Sequence, residues 1–321
     1  MAEKAHFEAR LTAIRYEAEG ISSFELCPLP GRSLPRFTAG AHVDLHLGNG
    51  QIRSYSLLNS QDEVNRYVIA VNKDPNSRGG SSFMHERLAV GNIVTCSGPR
   101  NNFPLFEDAP HSVLIAGGIG ITPTLSMISR LQSLGRSWEL HYAARSRKNA
   151  AFLDHLNAFD SKLRLTLNVN IDDETGGKLL NITDIVASHG ADAHFYCCGP
   201  IPMLEAFERA TAAIPGERVH VEYFAAKEQP SVAGGFEVVL AQSGKTLHVA
   251  PGKTILDAVM EAGVDVPSSC LQGACGSCET AVLEGIPDHR DVVLSKEERA
   301  ANRTMMICCS GSKTERLVLD L

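Results

Sequence analysis

Ser268-Ser269-Cys270-Leu271-Gln272-Gly273-Ala274-Cys275-Gly276-Ser277-Cys278 sets three cysteines in one short loop, and a fourth thiol, Cys308, follows downstream. The spacing C-x4-C-x2-C with a distant fourth Cys is the plant-type arrangement for a [2Fe–2S] cluster. Such a centre needs four soft thiolates on a loop wound around two irons. Gly273 and Gly276 stand between the ligands, where positive φ and close approach of backbone N–H groups to sulfur are needed. A structural zinc site would pair two short C-x2-4-C units, and here the fourth Cys is alone. Disulfides are the other rival, but nothing marks the chain as secreted. The candidate ligands are therefore Cys270, Cys275, Cys278 and Cys308. Cys308 is preferred to its neighbour Cys309 because the apolar run Met305-Met306-Ile307 leads into it. Cys309 is read as a packed thiol or as a residue just outside the ligand set.

A chain of 321 residues with 44% hydrophobic content can build two or three cores. The net charge of −7 argues against a nucleic-acid partner. The N-terminal residues carry no apolar h-region, so no signal peptide is expected, and no apolar run approaches membrane-spanning length. Nine cysteines without a secretory signal suit reduced thiols in a cytoplasmic protein, four of them held by iron.

Outward from the cysteine loop, the chain changes character twice. Stretches 7–14, 21–26, 42–47, 52–58, 67–71 and 93–97 alternate apolar and polar residues, with Gly and Pro clusters between them, which predicts a closed antiparallel barrel. From 111 to 224, strand-like runs (113–116, 138–143, 163–169, 194–198, 219–224) alternate with helical ones (124–134, 150–159, 202–213). That order predicts an α/β doubly wound sheet. Residues 225–235, small and polar with Pro and Gly, read as a linker. Beyond it, 236–240 and 246–249 predict a hairpin around Ser243-Gly244, and 254–262 a helix. The expected domains are 1–104, 105–226 and 236–321, with the linker at 227–235.

The strand at 113–116 runs into Gly117-Gly118-Ile119-Gly120-Ile121-Thr122-Pro123, which has Pro where the third Gly of G-x-G-x-x-G would be. The glycines still let backbone approach a pyrophosphate. Thr122 is expected to cap the following helix, with Pro123 in its first position. A second turn, Cys198-Gly199-Pro200, also lies between a strand and a helix. In an open α/β sheet, ligands gather at the carboxyl ends of strands, so the two turns are expected to form one cleft, with Cys198 facing it and Cys197 in the core. In the barrel, Arg53-Ser54-Tyr55-Ser56 ends a strand: an Arg fork for phosphate, a flat ring for stacking and small hydroxyl donors. Ser77-Arg78-Gly79-Gly80-Ser81-Ser82 precedes a helical stretch and is a second candidate anion site, with His85, Glu86 and Arg87 on a solvated face.

In this order (R-x-Y-S, R-G-G-S, G-G-I-G-I-T-P, C-G-P, C-x4-C-x2-C) the motifs span essentially the whole chain, which resembles the phthalate dioxygenase reductase family of the ferredoxin–NADP reductase-like superfamily. The resemblance implies a flavin barrel, a NAD domain and a C-terminal β-grasp ferredoxin domain. The flavin implied is FMN. Arg53, Ser54, Tyr55 and Ser56 would hold it, with Ser56 near the reactive edge of the ring. Ala70, Val71 and Asn72 would line the ring, and Arg78, Gly79, Gly80 and Ser81 would take the phosphate. Thr122 and Phe224 would approach the flavin, while Gly118, Gly120, Cys198, Gly199 and Pro200 would surround the nicotinamide nucleotide.

The implied chemistry is hydride transfer from NADH to FMN, then single electrons to [2Fe–2S] and on to a partner. The cofactors supply that chemistry, so no histidine is nominated as an acid or base. The charged run Asp288-His289-Arg290-Asp291 is either an ordinary exposed segment, a brace for the cluster loop or a partner contact. Arg145, Arg147 and Lys148 follow the second strand of the α/β part, where a 2′-phosphate would lie, but the resemblance favours NADH. The partner implied is a terminal oxygenase of the Rieske type, served by a monomeric reductase. A cytochrome P450 or another carrier as partner, and an iron–sulfur redox sensor, are the alternatives.

Overall fold

The computed structural model describes residues 6–160 and 167–321, and the chain divides into two compact units, Met1–Glu222 and Tyr223–Leu321. The first unit begins with β1 (His6–Ala18), β2 (Ile21–Pro28), β3 (His42–His46), β4 (Ile52–Ser56), β5 (Tyr67–Asn72) and β6 (Ile93–Arg100). A short helix, α1 (Gly80–Glu86), precedes β6. The strands pair antiparallel in the order β4-β3-β6-β1-β2-β5. Beyond β4 the chain turns back to the opposite edge of the sheet. There Leu58 N donates to Val68 O at 2.9 Å, and Asn59 Oδ1 accepts from Val68 N at 2.9 Å, closing the barrel. Its core is the inward half of each alternating strand: Ala9 and Leu11, Phe24 and Leu26, Val43 and Leu45, Tyr67, Ile69 and Val71, Val94 and Cys96.

β5 is apolar throughout because both its faces are covered. Tyr67, Ile69 and Val71 fill the barrel, while Ala70 belongs to a second core with Leu114, Ile121 and Tyr142. That second core belongs to a parallel sheet of β7 (His111–Gly117), β8 (Ser137–Ala144), β9 (Leu167–Ile171), β10 (Ala193–Cys198) and β11 (Val219–Glu222). Its helices are α2 (Ile121–Ser133), α3 (Leu153–Asp160), α4 (Ile182–Ala187) and α5 (Ile201–Ala210). Residues 163–166 of the expected third strand lie outside the described residues. The spatial order is β11-β10-β7-β8-β9, so the direction of winding reverses between β7 and β10. In open α/β sheets this switch point is where ligands bind.

One local expectation is corrected. Thr122 does not cap α2. A 3-10 turn, Gly118–Gly120, runs directly into a helix starting at Ile121, with Gly120 as the capping residue. The Thr122 hydroxyl instead donates to Ile119 O at 3.0 Å from inside the first helical turn. Pro123 occupies that turn too, where backbone N–H groups have no intrahelical acceptor to lose.

The second unit contains β12 (Phe236–Leu240), β13 (Lys245–Val249), α6 (Ile255–Glu261), β14 (Glu279–Glu284), β15 (Pro287–Asp288), α7 (Lys296–Ala301), β16 (Thr304–Met306), β17 (Gly311–Ser312) and β18 (Arg316–Leu319). The mixed sheet runs β13-β12-β18-β14-β16, with β12 and β18 parallel, and β15 pairs with β17 apart from it. Ile255, Leu256 and Val259 of α6 pack on Val238, Leu240, Leu317 and Leu319, the β-grasp arrangement. Both helices start with reciprocal side-chain caps, Thr254 with Asp257 and Ser295 with Glu298. Part of the linker-like stretch is bonded into this unit: Ser231 N donates to Cys309 O at 2.7 Å, and Gly235 N to Val249 O at 2.8 Å.

Barrel and α/β sheet meet closely at Gly40. Its φ is +89°, its N–H donates to Ser126 Oγ at 3.1 Å, and a Cβ there would collide with the Phe103 carbonyl. Gly40→Ala should therefore destabilise residues 6–222 by at least about 2 kcal/mol through crowding and left-handed backbone strain. Urea denaturation of the two proteins followed by circular dichroism measures the difference.

Candidate cofactor sites

Arg53 connects two sequence motifs that lie well apart in the chain. Its guanidinium donates to Ile52 O and Gln51 Oε1, both at 2.8 Å, and its side chain lies across Gly80, where a Cβ would stand 2.6 Å from Nε and 2.8 Å from Cγ. Gln51 Nε2 bonds the Arg78 carbonyl. Gly79 has φ +99°, and Ser77 Oγ accepts from the N–H groups of Gly79 (3.1 Å) and Ser82 (3.3 Å). The end of β4 and the Arg78-Gly79-Gly80-Ser81 turn are thus a single cradle, and glycine at 80 is what leaves room for the Arg. Ser81 Oγ accepts from Asp74 N at 3.1 Å and so fixes the entry to that turn.

Along β4 the side chains divide in role. Ser54 donates to Asp44 Oδ1 at 2.7 Å, and Asp44 also receives both Arg100 nitrogens (2.7 and 2.9 Å). Burial opposes ionisation of Asp44, but these bonds and the Arg100 charge outweigh it and hold the carboxyl below its ordinary range. Burial raises the Tyr55 hydroxyl, against a smaller lowering by Arg53. Ser56 is buried and its Oγ has no hydrogen-bond partner. An unpaired buried hydroxyl costs about 1–3 kcal/mol, which fits a position that awaits a polar edge of a bound ring. Ala70 and Val71 are buried on β5, Asn72 is exposed at its end, and β5 meets the Gly118–Gly120 turn.

At the switch point the two small-residue turns do come together. A Cβ on Gly120 would collide with the Cys198 carbonyl, and one on Gly199 would stand 2.7 Å from Met203 Sδ and 3.2 Å from Gly117. Gly118, with φ +54°, has open space around it. Backbone, rather than side chain, therefore lines this cleft, with Pro200 leading into α5. Cys198 does not turn its thiol to an open surface: it is fully buried, as is Cys197. Thr122 is also buried, and Phe224 is an exposed residue of the second unit.

Sequence reasoning missed Glu222. It pairs in register with Cys198 at the carboxyl end of β11, and its Oε2 is buried without a partner. Burial lifts its carboxyl to about 8, and burial followed by the Glu222 charge raises the Cys198 thiol. The only signal in the sequence was a lone acid ending an apolar strand. Because the folded value lies above the ordinary 4.5, the neutral acid's contribution to stability is complete below pH 4.5 and fades as pH rises through 8. Glu222→Gln should therefore gain stability over the wild type between pH 5 and 8, by roughly 2–4 kcal/mol at the upper end. Urea denaturation at both pH values tests this.

In the second unit, Cys270, Cys275, Cys278 and Cys308 converge: the Cys270 sulfur meets those of Cys275 and Cys308, and Cys308 also meets Cys278. Cys270 Sγ accepts from the N–H groups of Gln272 (3.4 Å) and Ala274 (3.3 Å). Leu271, Gly273 and Gly276 all have positive φ, between 58° and 71°, which winds the loop around its sulfurs. Cys309 is buried beside Gly273, its sulfur directed to Met306 O at 3.6 Å. The donor set and the inward N–H groups suit a [2Fe–2S] cluster held by Cys270, Cys275, Cys278 and Cys308.

A flavin-type barrel, a dinucleotide-type sheet and a four-thiol β-grasp unit define an iron–sulfur flavoprotein oxidoreductase. Residues 238–312 match the 2Fe-2S iron-sulfur cluster binding domain family, and residues 114–209 the oxidoreductase NAD-binding domain family. The chain is 54% identical over 320 residues to phenoxybenzoate dioxygenase subunit beta of Ectopseudomonas oleovorans, covering 100% of this chain and 99% of that one. It is 52% identical over 313 residues to tetrachlorobenzoquinone reductase of Sphingobium chlorophenolicum, covering 97% of each. Among solved structures, phthalate dioxygenase reductase superposes with TM-score 0.75 at 38% identity over 99% of this chain and 98% of that one. An intact type IV self-sufficient cytochrome P450 monooxygenase gives 0.88 at 39% identity, over 98% of this chain but 41% of that longer one. The chain belongs to the phthalate dioxygenase reductase family, whose cofactors are FMN, a [2Fe–2S] cluster and NADH.

The thiol geometry separates two adjacent cysteines. Cys308→Ser should lose cluster iron and the associated visible absorbance, whereas Cys309→Ser should retain both. Iron analysis of the two purified variants decides the point.

Proposed function

We propose that this protein is the reductase component of a multicomponent oxygenase, passing electrons from NADH through FMN and a [2Fe–2S] cluster to a separate Rieske-type oxygenase. The observation that carries this reading is the pairing within one chain of a switch-point cleft with a four-thiol loop. The first suits a two-electron nicotinamide donor, and the second suits one-electron delivery. FMN, when bound, supplies the conversion between them.

The chain's own residues bind and orient. Arg53 with the Arg78–Ser81 turn holds the phosphate, Ser56 presents its unpaired hydroxyl to the reactive ring edge, and the Ala70-Val71-Asn72 end of β5 flanks the ring with Thr122. Gly118, Gly120, Gly199 and Pro200 let the nucleotide backbone approach closely, with Cys198 packed behind them. NADH is favoured over NADPH because two of the three cations after β8 are engaged: Arg147 pairs with Glu174 at 2.7 Å and Lys148 with Glu19 at 2.9 Å. The barrel, nucleotide and ferredoxin regions are assigned to 1–104, 105–226 and 236–321, joined by 227–235, in a cytoplasmic monomer.

The likeness to part of a self-sufficient P450 supports a second reading, in which the acceptor is a cytochrome P450. Reconstitution of NADH-driven turnover with purified Rieske oxygenases and P450s separates the two. Absence of NADH-dependent cytochrome c reduction would sink both and leave a redox sensor. Ser56→Ala should stabilise the apoprotein by about 1 kcal/mol by removing an unsatisfied hydroxyl. The same change should slow flavin reduction by NADH about tenfold, the equivalent of roughly one hydrogen bond. Apoprotein urea denaturation and stopped-flow reduction of the holoprotein measure the two effects.

A further inference from the structure

The two faces of β8 are unlike. Trp138, Leu140 and Tyr142 lie in the apolar core with Leu114 and Ala116. The alternate positions are Glu139 and His141, although a central parallel strand is ordinarily apolar on both faces. β7 runs beside β8 with His111 opposite Ser137 and Val113 opposite Glu139, which puts His111 on the same face as Glu139. The turn after α4 lays His189 over that face.

Three imidazoles converge there on one carboxylate. His141 Nε2 is 2.6 Å and His189 Nε2 3.1 Å from Glu139 Oε1, while His111 Nε2 is 3.7 Å from Oε2. The ligand atoms of His111, Glu139 and His189 lie within 4.8 Å of one another. The other ring nitrogens are already engaged: His189 Nδ1 is 2.7 Å from Ile185 O, and His111 Nδ1 is 2.8 Å from Ser137 Oγ. Both Nε2 atoms are therefore directed inward.

We propose that His111, Glu139 and His189 form a binding site for a divalent transition metal of the zinc class, with His141 holding the carboxylate in place. Nitrogen donors beside a carboxylate select this class over magnesium or calcium, which take oxygen ligands. Zinc bonds of about 2.0–2.2 Å in a tetrahedron set ligand atoms roughly 3.3–3.6 Å apart; His189 Nε2 stands 3.1 Å from one Glu139 oxygen and His111 Nε2 3.7 Å from the other, so a small closure of the group brings the three atoms to that spacing. The four residues are half-buried, so a fourth position stays open to water. The site lies at the amino ends of β7 and β8, the opposite end of the sheet from the nucleotide turns, and would tie β7, β8 and the α4–β10 turn together.

The test uses the holoprotein with its cluster iron in place. The protein is equilibrated with Zn2+, dialysed into metal-free buffer and analysed for zinc and iron by mass spectrometry. The expected result is one zinc per chain with unchanged iron, and a melting temperature that zinc raises. His111→Ala and His189→Ala should lose the zinc and the thermal gain. His111→Gln and His189→Asn serve the same purpose should the alanine variants fold poorly. His141→Asn should weaken zinc binding about 10–100-fold, the usual effect of removing a group that orients a ligand. No zinc retained by the wild type, equal zinc in the wild type and the His111 and His189 variants, or zinc gained only as iron is lost would each overturn the proposal.

Discussion

Where β7 and β10 end side by side, there is no room for a Cβ. A side chain at Gly117 would stand 2.7 Å from Pro200 Cδ and 2.8 Å from Met203 Sδ, and at Gly120 it would collide with the Cys198 carbonyl. Because the two turns close so tightly, the helix after β7 starts at Ile121 and its first apolar residue joins Ala70 of the barrel in one core. β5 and the turn at Gly117–Gly120 are thereby parts of one packed body. Hydride transfer requires the reacting atoms at about 3–3.5 Å. A shared core holds such a spacing where a loose interdomain contact would not.

The [2Fe–2S] region is built on a different footing. It has its own apolar core and its own capped helices, and the stretch before β12 is bonded back onto it at Ser231 and Gly235. The two-electron and one-electron parts of the chemistry thus reside in separately packed units. The relatives are named for systems as different as a phenoxybenzoate dioxygenase and a vanillate O-demethylase.

Much of this was legible in the sequence because the elements concerned are long and strictly periodic. The six barrel strands were visible as apolar stretches between Gly and Pro clusters, and β7 in the continuous apolar run of 113–116. The short elements were not. β15 and β17 have two residues each, and α4 has six, too few to show a period. Thr122 followed by Pro123 read as a helix start, yet the preceding 3-10 turn had already begun the coil, an effect of the tight packing around Gly120. The convergence of Cys270, Cys275, Cys278 and Cys308 was legible because C-x4-C-x2-C is the spacing that a [2Fe–2S] loop uses. Glu222 was not, because its meaning comes from Cys198 on a strand that is its neighbour in space alone. Glu139, His141, His111 and His189 each looked like ordinary strand or loop residues until the register of β7 against β8 put them on one face.

The cluster loop shows why a charged run can be structural. Holding Leu271, Gly273 and Gly276 at positive φ costs energy, and such strain persists only where surrounding contacts over-determine it. Those contacts come from the segment containing Asp288-His289-Arg290-Asp291. Gly273 O accepts from Val292 N at 3.0 Å, and a Cβ on Gly273 would stand 2.9 Å from Asp291 Cα. Asp291 is itself buried, its Oδ2 accepting from the N–H groups of Val293 (3.1 Å) and Leu294 (2.8 Å), while the Arg299 guanidinium bonds its carbonyl. The acid serves here as a backbone anchor. It fixes the turn against which the loop rests, and so fixes where the N–H groups of Gln272 and Ala274 point. Those N–H groups point at the Cys270 sulfur, so a buried carboxylate acts on the surroundings of that thiol through the backbone alone.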